Sequence, residues 1–223
     1  MVNKETTHYN LRLIMIGNPG VGMTSLFHMY AFRHCFEHYY TLICEPYEVS
    51  VTIEGKNALI KIFEHTIYHS TYRRDDDFQD TSLNQQYEAF AEYHLNDFDA
   101  CALIFSLSSR DSFVDLKNKK KRLDNILGED LNNYPFIVVG NKSDEQESRV
   151  VNRFEVEDWC KKEGICTYFE TSAKTGYNVN EAFGELAHFA LAHQESREKE
   201  YKKSICEKLS KRDNASSSNC VII

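Results

Sequence analysis

No two of the seven cysteines fall in a C-x-x-C arrangement, and their positions (35, 44, 101, 160, 166, 206 and 220) show no regular spacing. That pattern fits thiols kept reduced in the cytosol better than a disulfide framework or a zinc site. None of the nine histidines stands in an H-E-x-x-H arrangement, so they read as surface or packing residues. Positive charge is short as well. The 26 Lys and Arg against 34 Asp and Glu leave a net charge of −8, which argues against a general nucleic-acid binder. Met1 to Asn10 lacks the apolar core of a signal peptide, and no apolar run approaches the length needed to span a bilayer. What remains is a chain of 223 residues, suited to one α/β domain with a tail.

A further absence sits inside a motif. Gly17-Asn18-Pro19-Gly20-Val21-Gly22-Met23-Thr24, followed by Ser25, meets the phosphate-binding pattern G-x-x-x-x-G-K-[ST] at Gly17, Gly22 and Thr24. It fails only at Met23, the position that should carry the cation. Each part of such a loop has its own task. The glycines let backbone N–H groups turn toward phosphate oxygens, the lysine neutralises them, and the hydroxyl holds Mg²⁺. The flanks are right: Leu11 to Ile16 is an apolar run expected as a buried strand, and Thr24 to His34 places Leu26, Phe27, Tyr30 and Ala31 at helical spacing. Strand, glycine loop and helix together aim a helix N-terminus at an anion.

Strand and helix signals alternate along the rest of the chain. Tyr47 to Ile53 and Ala58 to Phe63 read as a hairpin around the turn Glu54-Gly55-Lys56-Asn57. Ala100 to Leu107 and Tyr134 to Gly140 are almost continuously apolar, as strands covered on both faces are, and Ile165 to Phe169 is a shorter one. Helices are expected over 111–128, 154–163 and from 178 onward, and a loop followed by a helix over 69–99, after a Ser82-x-x-Gln85 capping signature. The run Lys117 to Arg122 inside the 111–128 helix reads as a solvated face, or else as a contact for an acidic partner or membrane. This order predicts an α/β fold: a six-stranded, mostly parallel sheet with helices on both faces.

Two loops then specify a base. Asn141-Lys142-Ser143-Asp144 follows one strand, and Glu170-Thr171-Ser172-Ala173-Lys174 follows the next. With these motifs the chain, from about Leu11 to Ala192, resembles the Ras-type small GTPases, whose N-K-x-D and S-A-K loops follow the fifth and sixth strands. The carboxylate of Asp144 can accept from the ring N–H and the exocyclic amine of guanine, whereas adenine would leave it unpaired. The resemblance implies that Asn141 and the Ala173 N–H bind the guanine edge, with the stems of Lys142 and Lys174 covering the ring and Ser172 in the same loop. It implies GTP or GDP with Mg²⁺ as the bound cofactors, and Thr24 and Glu64 as metal residues.

The phosphate end departs from the family. Tyr39, Ile43, Glu45 and Tyr47 match its effector loop, but the expected metal-binding threonine is Leu42, with Thr41 one place early. The expected aromatic beside guanine is Cys35, with Phe36 one place late. The D-x-x-G-Q motif reads Glu64-His65-Thr66-Ile67-Tyr68: Ile67 replaces a glycine and Tyr68 occupies the water-positioning site, so no catalytic residue is intact. Pro19 stands where many members carry a small residue.

Residues 1–194 are thus expected to form a Ras-like nucleotide-binding domain. Residues 195–223 are expected as a charged tail in which Asn214 to Asn219 is a flexible linker before Cys220-Val221-Ile222-Ile223, a C-a-a-X prenylation box. One lipid anchors marginally, so Lys202, Lys203, Lys208, Lys211 and Arg212, or a palmitoylated Cys206, are expected to add a second signal. The reading is a membrane-anchored small GTPase in signal transduction, with slow or impaired hydrolysis, effector and regulatory protein partners, and a place on the cytoplasmic face of the plasma membrane. The alternative is a pseudo-GTPase that never cycles and serves as a protein-interaction module. A P-loop kinase is disfavoured, because the base loops specify guanine and no lid motif is visible.

Overall fold

The computed structural model describes residues 8–34, 46–66, 97–128 and 134–216. Strand β1 (His8–Gly17) runs through the middle of the molecule. Its Leu11, Leu13 and Met15 enter one apolar cluster and its Ile14 and Ile16 the other, which is why this stretch is apolar without alternation. With β2 (Tyr47–Ile53), β3 (Lys56–Thr66), β4 (Ala100–Ser106), β5 (Phe136–Asn141) and β6 (Tyr168–Glu170) it forms a six-stranded sheet in the order β2-β3-β1-β4-β5-β6. Only β2 runs antiparallel to its neighbour, as expected.

Helices cover both faces. On the Leu11 face lie α1 (Met23–Phe32) and α4 (Val179–Ser216), the latter through Ala182, Phe183, Leu186, Ala187 and Ala190. On the Ile14 face lie α2 (Arg110–Leu127) and α3 (Arg153–Lys162), through Phe113, Leu116, Val156 and Trp159. The parallel strands all end at one edge: Gly17 pairs with Ile104, and Gly140 with both Phe105 and Glu170. Loops leaving β1, β5 and β6 therefore gather there, on the side where ligands bind in open α/β sheets.

The start of α2 shows how these elements are pinned. Ser109 is extended, and its hydroxyl accepts from the Ser112 N–H at 3.3 Å. Ser109→Ala is expected to cost about 1 kcal/mol, lowering Tm by roughly 2–4 °C. A thermal melt followed by circular dichroism checks this, and an unchanged Tm would mean the cap is dispensable.

Several boundaries differ from expectation. The hairpin turn has two residues, Glu54 and Gly55, both at positive φ (51° and 77°), so Lys56 and Asn57 already pair with Ile53 and Thr52. The last strand begins at Tyr168 rather than Ile165. Lys119 and Lys120 are only 4% and 2% exposed, so the lysine run is no uniformly solvated face. Helix α4 continues to Ser216, through the first part of the expected linker. The helix expected after Ser82 lies outside the described residues. No helix among the described residues is long and apolar enough to cross a membrane. The buried thiols of Cys101 and Cys160 and the exposed thiol of Cys166 are free.

Candidate functional site

The loop between β1 and α1 takes a shape that only its glycines allow at two places. Gly22 precedes α1 at φ 94°, and a Cβ there would lie 2.5 Å from Nδ2 of Asn141. A Cβ on Gly17 would meet the Ile104 carbonyl at 2.8 Å and the Met23 sulfur at 3.1 Å. Between them Pro19 and Gly20 are exposed at the mouth, while Val21 is buried. Met23 is 4% exposed and packs into the cluster under the sheet with Leu26 and Phe27. Thr24 and Ser25 occupy the first turn of α1, half-buried.

Asn141 ties this loop to the two base loops. Its Nδ2 donates to the Val21 carbonyl at 2.9 Å, and its Oδ1 accepts from the Ala173 N–H at 3.1 Å and the Thr171 hydroxyl at 3.3 Å. At 1% exposure it is a strut between loops. Asn141 and the Ala173 N–H, both expected at the guanine edge, bond to each other here, as a buried amide and a buried N–H must find partners. Asp144, by contrast, is exposed, with Oδ1 accepting from the Ser172 hydroxyl at 2.6 Å. Ser172 in turn accepts from the Thr175 N–H at 3.1 Å. Lys142 stands at φ 67° in the turn, and Lys174 is exposed. Arg149 grips Glu170 with two bonds, one at 2.9 Å, bracing the strand that carries the second base loop.

At the metal end the Thr24 hydroxyl donates to Oε2 of Glu64 at 2.9 Å. The Tyr47 hydroxyl engages both residues, and its ring stacks on Phe27 at 4.2 Å. Tyr47, expected in the effector region, therefore faces inward, because its ring fills the space above α1. Burial pushes the Glu64 carboxyl up, against the hydrogen bonds from Thr24 and Tyr47 that favour its charged form. Burial, with the nearby Glu64 charge, pushes the Tyr47 hydroxyl up to about 12. The other Glu64 oxygen, Oε1, is buried without a hydrogen-bond partner. An oxygen left unpaired beside a threonine hydroxyl fits a hard cation such as Mg²⁺, which would be held by Thr24 and approached by Glu64.

A third group at this edge was not expected from the sequence. Nδ2 of Asn18 donates to Asp115 at 2.7 Å, and the Lys119 ammonium donates to the Gly17 carbonyl at 2.9 Å and to Oδ1 of Asn18. Burial draws the Lys119 ammonium down to about 8. A signal was present: Lys119 lies three residues after Leu116 and four before Leu123, both buried, and so on the apolar stripe of its helix. Cys35, Phe36, Tyr39, Thr41, Leu42, Ile43, Glu45, Ile67, Tyr68 and Cys220 lie outside the described residues.

Comparison with known proteins agrees with this geometry. The model of the Ras family matches residues 12–192. Ras-related protein RABG3f of Arabidopsis thaliana is 31% identical over 192 residues, covering 84% of this chain and 85% of its own. Ras-related protein Rab7 of Prunus armeniaca is 30% identical with the same coverage. The GTP-binding protein YPTC5 of Chlamydomonas reinhardtii is 29% identical over 192 residues.

Proposed function

The chain belongs to the Ras family, and on that premise we propose that it binds GDP and GTP with Mg²⁺ and hydrolyses GTP slowly. The observation that carries this reading is the pairing of an intact guanine end with an altered phosphate end. Asp144 is exposed beside a strut, Asn141, that joins all three loops. Met23, in contrast, is packed into the core where a loop cation would stand. Mg²⁺, when bound, neutralises phosphate charge. Thr24 and Glu64, joined by a hydrogen bond, would hold it. In the sequence motif Tyr68 replaces the glutamine that positions water, so turnover lacks a principal contribution to its rate.

Purified protein is expected to release guanine nucleotide on denaturation and to convert bound GTP slowly in a single-turnover assay. A folded preparation with no nucleotide and no affinity for GDP would sink this reading. Glu64→Ala is expected to raise the Mg²⁺ concentration that half-slows GDP release by roughly 10–100-fold. A Mg²⁺ titration of fluorescent-GDP release reads the shift, and an unchanged midpoint would remove Glu64 from the metal site.

The buried Met23 also favours a second reading, a pseudo-GTPase whose protein partners bind it alike with GDP, a GTP analogue or neither. Partner capture in the three states separates the two. In both readings Cys220 carries a prenyl group that holds the chain at the cytoplasmic face of a membrane. Two of the relatives bear Rab names; internal membranes and the plasma membrane are both places to look, and fluorescence microscopy of the tagged chain distinguishes them. Effectors and regulators that read the nucleotide state complete this role in signalling.

A further inference from the structure

We propose that Lys119 is the phosphate-facing cation of this loop, supplied from helix α2 in place of the lysine that Met23 replaces. The inference rests on the guanine-nucleotide reading above and names the residue that makes its altered phosphate end workable.

The geometry starts from one atom cluster. Gly17 opens the loop, and two side chains converge on it: the Met23 sulfur from α1 and the Lys119 ammonium from α2. The charge missing at position 23 is therefore present at the same glycine, delivered from another element. The ammonium holds the Gly17 carbonyl and Oδ1 of Asn18, the first two residues of the loop. Asp115 fixes the Asn18 amide by accepting from Nδ2, so the amide oxygen is turned toward Lys119. An ammonium has three N–H donors, so these two acceptors leave one for a phosphate oxygen.

The charge balance points the same way. Lys119 is 4% exposed, and a buried charge is expensive unless it meets an opposite charge. Both atoms that accept from it are neutral oxygens, and Asp115, whose charge favours the ammonium, accepts its hydrogen bond from Asn18. Burial draws the ammonium down to about 8 and the Asp115 charge offsets this only in part, so negative charge is still short there. A phosphoryl group entering the loop supplies it. Lys120, its neighbour, lacks this opportunity: it pairs with Asp124 and lies over the Phe136 ring at 4.7 Å.

The alternative is that Lys119 only latches the loop to α2. A charge at position 23 distinguishes the two, since it would restore phosphate neutralisation but not the latch. Fluorescent GDP and unlabelled GDP, GMP and guanosine in competition are the probes, with wild type, Lys119→Met, Lys119→Arg and the double variant Lys119→Met/Met23→Lys. Lys119→Met is expected to lose roughly ten- to a few-hundredfold in GDP affinity while guanosine affinity changes by less than about threefold. Lys119→Arg, which keeps the charge and tests the fold, retains most of the preference for GDP over guanosine. The double variant recovers most of the loss. If Lys119→Met keeps the GDP preference, or the double variant stays as weak as the single, Lys119 is a latch and the proposal fails. If Lys119→Met does not fold, loss of the GDP preference in Lys119→Arg with a wild-type melt overturns it equally. Wild type that binds none of the ligands instead removes the functional reading, and this inference with it.

Discussion

Asp144→Ala is expected to lower GDP affinity by roughly 10²–10⁴-fold while leaving the fold intact. A carboxylate that accepts from two guanine N–H groups makes two charge-assisted hydrogen bonds, each worth about 1.5–3 kcal/mol. Asp144 is exposed and, among the described residues, accepts from Ser172 alone, so the loss falls on the ligand. Preference for GDP over ADP should collapse in the same variant, because adenine no longer strands a carboxylate. Competition against fluorescent GDP measures both. An affinity within about threefold of wild type would show that the base is held elsewhere.

Asn141→Ala acts on the opposite side of the same network, and its expected effect is on stability. Truncation leaves the Val21 carbonyl and the Ala173 N–H without their partner, and both residues are buried. Each stranded group costs about 1–3 kcal/mol, so a total of about 2–5 kcal/mol is expected, seen as a Tm lower by roughly 5–15 °C. The two variants therefore separate cleanly: one melts like wild type and fails to bind, the other melts early. A Tm for Asn141→Ala within about 2 °C of wild type would mean the three loops do not depend on this amide.

The sheet was legible because its strands are buried on both faces: runs such as Cys101 to Phe105 and Ile137 to Val139 carry no polar residue that would fit another element. The misplaced start of β6 has a local cause. Gly164, at φ 70°, closes α3; its N–H reaches the Lys161 carbonyl and the Ile165 N–H reaches the Cys160 carbonyl. Ile165 is thus the apolar residue of a helix cap, and periodicity cannot tell such a residue from the first of a strand. At the site, the base-loop motifs drew attention to Asn141 and Asp144, but not to the fact that one is a buried strut and the other is exposed and bonded to Ser172. That distinction depends on burial, 1% exposed against open. Lys119 was missed because a run of like charges reads as a solvated face, whereas a long stem lets an ammonium cross an apolar stripe to reach a carbonyl.

Helix α4 has a mechanical consequence. Its first turns are locked into the core by Ala182 to Leu191, and the same helix runs on without interruption to Ser216. Beyond residue 192 that is on the order of 35 Å at about 1.5 Å per residue. A flexible chain of similar length would let its far end wander over all bearings. A helix is a lever arm: whatever grips its distal end is held at a set distance from the sheet.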